Sequence, residues 1–232
     1  MDRAEFGAVD ISAFSPGLSR WRSRWREREH PDFAAALRTI ANFLVIALFA
    51  QFVFDSGQDF LYKATLNTGG MLMVNGLYFG LFISRREAKT ETTSPALWAL
   101  GYAGMIVPLQ MRASPPHPGG AVAGALIELA GLAMLIAALL SLRRSFAVVP
   151  ANRGVRDGGF YRLVRHPVYL SELTLLLGVL IANPTPRNTV LWLAECGLQI
   201  ARALAEERHL LADPCYRAYC RRVRYRLIPA IL

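Results

Sequence analysis

The chain has 232 residues, 53% of them hydrophobic and only 19% charged, below the roughly 25% charged that is usual in soluble domains. Lys and Arg outnumber Asp and Glu by 26 to 17, giving a formal net charge of +9, and of the cations only Lys63 and Lys89 are lysine. Such a basic balance could serve nucleic acid, but the Arg residues fall in short loops beside apolar runs and no nucleic-acid-binding fold is recognisable, so membrane topology and anionic lipid headgroups account for them better. Cys196, Cys215 and Cys220 form no Cys-x-x-Cys pair and no metal spacing, so free thiols in a reducing compartment are expected and no metal site.

Residues 1–35 are polar, so no cleavable signal peptide is expected. Within them Trp21 and Trp25 lie at i, i+4 among Arg20, Arg22, Arg24, Arg26 and Arg28, which predicts a basic helix in the headgroup region; a disordered basic tail is the alternative. Residues 36–232 read as one integral-membrane domain. A first apolar run extends from about Ala34 to Phe54, and the polar Asp55–Asp59 segment is expected to end it. A second runs from about Thr68 to Ile83, where Gly76 and Gly80 give a small-xxx-small spacing that allows close helix contact. The third runs from about Pro95 to Met111 and the fourth from about Ala121 to Leu142. The fifth, about Val168 to Ala182, and the sixth, about Thr189 to Ala205, are short and joined tightly through Asn183–Asn188, so they could form a tilted helical hairpin. The expected fold is therefore all-α, a polytopic membrane bundle of about six transmembrane helices.

Charge orients these runs. The N-terminal tail, the loop with Arg85, Arg86 and Lys89, the loop from Arg143 to Arg165 and the C-terminal tail are basic, while the alternate connections hold only Lys63, Arg112 and Arg187. The positive-inside rule then puts both termini and the loop around His166 in the cytoplasm. One carboxylate, Glu128, falls midway along the fourth run; at bilayer depth it is either a functional group or a protonated, hydrogen-bonded one.

Two blocks carry motif information. The first is Gly158-Gly-Phe-Tyr161-Arg-Leu-Val-Arg165-His166-Pro167-Val-Tyr169-Leu-Ser-Glu172, in which Pro167 suits the first turn of a helix. The second is Arg202-Ala-Leu-Ala-Glu206-Glu207-Arg208-His209, followed by Tyr216, Tyr219, Arg221, Arg222 and Pro229. Together they resemble the Arg-His-Pro-x-Tyr signature and the C-terminal Arg/Glu-Glu/Tyr/Pro pattern of the integral-membrane methyltransferases, the isoprenylcysteine carboxyl methyltransferase and phospholipid methyltransferase group. The resemblance covers about the last third of the chain and implies methyl transfer from S-adenosylmethionine to a lipophilic acceptor entering from the bilayer, with the cofactor reached from the cytoplasm.

By that resemblance Tyr161, Arg165, His166, Tyr169, Glu172 and Glu206 would line the cofactor site, a carboxylate such as Glu206 suiting the ammonium of the methionyl part and Tyr rings the adenine and sulfonium. Arg202 and Glu207 would face the reacting group, Arg being suited to hold a carboxylate through two parallel hydrogen bonds. Taken singly, the same residues could cap a helix, sit in the interfacial belt or snorkel. O-methylation of a carboxylate is the leading expectation; amine or thiol methylation on the same fold and a non-catalytic membrane scaffold remain alternatives, and a sterol-reductase relative would need a longer chain. The reading places the protein in a membrane, a bacterial inner one.

Overall fold

Residues 33–64, 66–111 and 119–228 are described by a computed structural model. The expected basic helix around Trp21 and Trp25 and the loop at 112–118 lie outside the described residues. The chain divides into two compact units, Met1–Val45 and Ile46–Leu232, and the site below belongs wholly to the second.

Seven α-helices are found among the described residues: α1 (Phe33–Lys63), α2 (Leu66–Ser84), α3 (Pro95–Ile106), α4 (Ala121–Leu142), α5 (Pro167–Ala182), α6 (Pro186–Leu210) and α7 (Pro214–Arg222). The fold is an all-α membrane bundle; Thr39–Lys63 of α1, and α4 together with the 3₁₀ turn that follows it, Ala121–Ser145, are long and apolar enough to cross a bilayer and mostly unburied. Large apolar side chains such as Phe54 on α1 and Val122, Leu126 and Leu140 on α4 are exposed, as a lipid-facing surface requires.

The six apolar runs map onto α1 to α6, with three instructive differences. α1 does not stop at Asp55. It continues to Lys63 because its polar residues pair along the helix, Gln51 with Asp55 at 2.8 Å and Lys63 with Asp59 at 3.0 Å, and Ser56 bonds back to Phe52. α3 is only 12 residues, about 18 Å long at 1.5 Å per residue. It gives way at Val107 to a 3₁₀ turn, Pro108–Gln110, so this segment alone is shorter than a bilayer core. α6 extends past Ala205 to Leu210, which brings Glu206 and Glu207 into the helix.

The close contact that the Gly76 and Gly80 spacing allows is not used among the described residues: a Cβ at either position would meet nothing within 4 Å. The intimate contact is instead between α4 and α5. A Cβ on Gly124 would lie 2.7 Å from both the Ala182 nitrogen and the Gly178 oxygen, one on Gly131 would run into the Leu175 backbone, and one on Gly178 into the backbone of Glu128. Backbones that approach so closely gain dispersion contacts without needing a hydrophobic driving force, which lipid does not supply.

On the end of the bundle that carries the signature, a two-residue ribbon pairs β1 (Thr90–Glu91) antiparallel with β2 (Ala151–Asn152). Asn152 also donates to Asp213, whose other oxygen caps α7 through the Cys215 N–H. The α5–α6 connection is as tight as its Asn-Pro-Thr-Pro composition suggests, with Thr185 capping α6 by accepting from the Asn188 N–H at 3.1 Å.

Candidate functional site

The signature and the C-terminal block are stitched together by backbone. The N–H groups of Arg165 and His166 donate to the carbonyls of Tyr225 and Arg226, both at 2.9 Å, and the Tyr219 hydroxyl donates to the Tyr161 carbonyl at 2.8 Å. Tyr161, Tyr216, Tyr219 and Val223 form a buried cluster beneath this seam.

Arg165 locks the same seam. Its guanidinium donates to Glu207 at 3.0 Å and to the carbonyls of Val223, Cys220 and Arg224. Glu207 in turn accepts from Arg226 at 2.9 Å. Glu207 is buried and is not among the residues lining the cavity described next, so the carboxylate expected to face the reacting group is held behind the wall by two guanidinium groups.

Pro167 occupies the first turn of α5, leaving His166 at its N-cap with no side-chain capping bond. The ring is therefore free to stack on Tyr169, with centroids 5.4 Å apart and planes 3° from parallel. Its Nδ1 lies 3.6 Å from Glu206 and its Nε2 3.4 Å from Glu207. Burial pulls the His166 pKa down, but the contacts with Glu206 and Glu207 outweigh it and hold the pKa above the usual value. Tyr169 donates its hydroxyl proton to Glu206 at 2.9 Å. Burial pushes the Tyr161 hydroxyl well above its ordinary pKa, so it stays neutral.

These side chains open onto a cavity of about 320 Å³. Its lining holds seven of the eight expected site residues: Tyr161, Arg165, His166, Tyr169, Glu172, Arg202 and Glu206. Much of the rest of the lining is apolar, including Phe49, Phe52, Met71, Val74, Leu135 and Leu176. Within this lining Phe49 stacks on Tyr78 with ring centroids 5.6 Å apart, and Tyr78 packs against Phe146 at 5.4 Å. Glu128 does not line the cavity.

Arg202 is the unusual member. Its guanidinium lies 4.7 Å over the Tyr169 ring, and its one hydrogen bond among the described residues goes from Nη1 to Gln199 Oε1 at 3.1 Å. No ion pair involves Arg202 among the described residues, although it is only 9% exposed. The guanidinium thus makes no direct ion pair, has the Glu172, Glu195 and Glu206 carboxyl groups near it at longer range, and lines the cavity.

Sequence reasoning missed three neighbours of this group. Tyr78 donates to Glu172 Oε1, Gln199 donates to Glu172 Oε2 at 2.7 Å and to Glu195 Oε1 at 2.6 Å, and Glu195 is fully buried. The signal for two of them was present: Glu195, Gln199, Arg202 and Glu206 fall at i, i+4, i+7 and i+11, a polar stripe on one face of an otherwise apolar helix.

The donor set fits S-adenosylmethionine. Glu206, which lines the cavity with a side chain 32% exposed, offers a carboxylate to an ammonium, and the Tyr161 side chain adds an aromatic surface to the same lining.

No family model matches the chain, and no curated protein matches it. Among solved structures it is similar to the eukaryotic intramembrane Ras methyltransferase ICMT (isoprenylcysteine carboxyl methyltransferase), determined without a monobody, with a TM-score of 0.46 and 15% identity over 92% of this chain and 91% of that one.

Proposed function

We propose that this protein is an integral-membrane, S-adenosylmethionine-dependent methyltransferase that methylates the carboxylate of a lipophilic acceptor. The observation that carries this reading is one cavity lined by two chemistries: the buried guanidinium of Arg202, in no direct ion pair among the described residues, with its polar neighbours, read as one end, and the apolar Phe49, Phe52, Met71, Val74 and Leu135, read as the other. The two motif blocks support it, since their residues converge on the polar end. With it come the orientation expected from charge, both termini and the signature loop cytoplasmic, and anionic headgroups against the basic loops.

The cofactor supplies an electrophilic methyl group. Glu206, its hydroxyl partner Tyr169 and the His166 ring bind and orient it. Arg202 holds the acceptor carboxylate by paired N–H donors, which fixes the attacking oxygen without needing a general base, because a carboxylate is already the nucleophile. Methylation removes the negative charge, so Arg202 releases the ester more readily than it bound the acid. The apolar end takes the acceptor's hydrocarbon tail out of the bilayer and excludes water from the reacting atoms. Arg165 in the cavity wall and Glu207 behind it hold His166 and the C-terminal tail in register.

The test uses purified protein in detergent with labelled S-adenosylmethionine and S-farnesyl-N-acetylcysteine as a carboxylate with an apolar tail. Methyl ester should form, and Arg202→Lys should be nearly as damaging as Arg202→Ala, a loss of tenfold to a hundredfold in kcat/KM, since a charge-assisted hydrogen bond is worth about 1.5–3 kcal/mol. Cofactor affinity should be unchanged. Full activity in Arg202→Lys rejects the carboxylate role, methylation of phosphatidylethanolamine instead moves the protein to amine chemistry, and failure to bind S-adenosylmethionine leaves a non-catalytic scaffold.

A further inference from the structure

The groups behind Arg202 form a chain that the methyl-transfer reading does not use. Gln199 is fully buried one turn before Arg202 on α6, and both functions of its amide are engaged. Its nitrogen donates to Glu172 at 2.7 Å and to Glu195 at 2.6 Å, and its oxygen accepts from Arg202 at 3.1 Å. The guanidinium settles which way the amide points, because it only donates: the amide oxygen must face Arg202, and the nitrogen is left to the two carboxyl groups. The amide oxygen is thereby aimed at the guanidinium.

Glu195 fits that role. It is fully buried, its Oε2 has no hydrogen-bond partner among the described residues, and it does not line the cavity. A carboxyl group so placed is unfavourable compared with an apolar residue of similar size, unless its other oxygen holds something in place. That oxygen holds Gln199. Arg202 is further confined by the Tyr169 ring on one side and by α3 on another, where a Cβ on Gly104 would lie 2.7 Å from Nη1 and 2.8 Å from Cδ.

We propose that Gln199 is a positioning residue that sets the Arg202 guanidinium for the acceptor carboxylate, with Glu172 and Glu195 fixing the orientation of its amide. The proposal rests on the reading of Arg202 as the acceptor-holding group. Gln199 touches neither acceptor nor cofactor. It acts through the guanidinium, so its removal shows in acceptor binding rather than in the fraction of active protein.

The experiment measures binding of S-farnesyl-N-acetylcysteine by calorimetry, together with KM and kcat, in the full-length protein and in Gln199→Met, Arg202→Ala and the double variant. Gln199→Met should raise the acceptor Kd and KM about tenfold while kcat and S-adenosylmethionine affinity stay within about twofold. In the Arg202→Ala background the same change should add nothing, because the two residues act as one unit. A purely structural Gln199 would lower kcat at constant KM by reducing the active fraction, and that result, or additive losses in the double variant, overturns the proposal. If Arg202→Ala leaves probe binding unchanged, the carboxylate reading fails and the proposal with it. If Arg202→Ala is damaging and Gln199→Met is silent, the positioning role alone falls. Should Gln199→Met not fold, Gln199→Glu keeps the shape and gives Arg202 a competing carboxylate; KM should rise there too, and an unchanged KM overturns the proposal.

Discussion

α4 and α6 are both long helices of one bundle, yet they solve opposite problems. α4 meets α5 through Gly124, Gly131 and Gly178, backbone against backbone, and presents Val122, Leu126 and Leu140 outward. α6 buries Asn188, Glu195, Gln199, Arg202 and Glu207, each engaged by another polar group. The lesson is one of specification. Close glycine contacts tolerate no added volume but are indifferent to chemistry, whereas the polar stripe tolerates change in volume less critically than the loss of any one partner.

The sharpest way to break the first helix pair is Gly178→Leu. Its side chain would have to enter the backbone of Glu128, and overpacking of this kind is destabilising by about 1–3 kcal/mol or more. Little folded protein should elute as a single species in detergent, while the same substitution at Gly80 should elute normally.

Next is Glu207→Gln, which removes the charge that Arg165 and Arg226 share. Breaking a buried pair by deleting one partner typically costs about 3–5 kcal/mol, but Arg226 is substantially exposed, so roughly 2 kcal/mol is expected here. The melting temperature should fall and protease should cut after the C-terminal Arg residues, because the tail at 223–226 is held to the signature through this group. An unchanged melt would mean the backbone bonds suffice.

A smaller effect concerns pH. His166 has a folded-state pKa raised by Glu206 and Glu207 despite its burial. Its stabilising contribution is therefore complete below the unfolded value of about 6.5 and is lost as pH rises through the higher folded value. Melting temperature should decline across that window in the parent protein and stay flatter in His166→Asn; equal slopes would exclude His166 as the titrating group.

The smallest expected effect is Gly76→Ala or Gly80→Ala. A Cβ there meets nothing, and alanine is the better helix former by about 1 kcal/mol in a helix interior, so stability should be unchanged or slightly increased. A clear loss would show that those glycines face another helix after all.

The helices were legible because hydropathy is local: Ala121–Leu142 and Pro167–Ala182 coincide with apolar runs bounded by Arg143, Pro167 and Asn183. The site was legible in part because Arg202 and Glu206 belong to a recognisable block and share one helical face. What the chain order could not reveal was pairing across distance. Tyr78 lies 94 residues before Glu172 and still donates to it. Glu206 and Glu207 are neighbours in sequence, but successive helix positions point about 100° apart, so one faces the cavity and the other is taken by Arg165 and Arg226. Likewise, which glycines let helices touch depends on which faces meet, and that is a property of the packed bundle. Composition and periodicity thus determined by themselves that this is a helical membrane protein with a basic, motif-bearing end. Only the tertiary structure decided that Arg202 makes no direct ion pair among the described residues while lining a partly apolar cavity, because that depends on what α3 and α5 place around it.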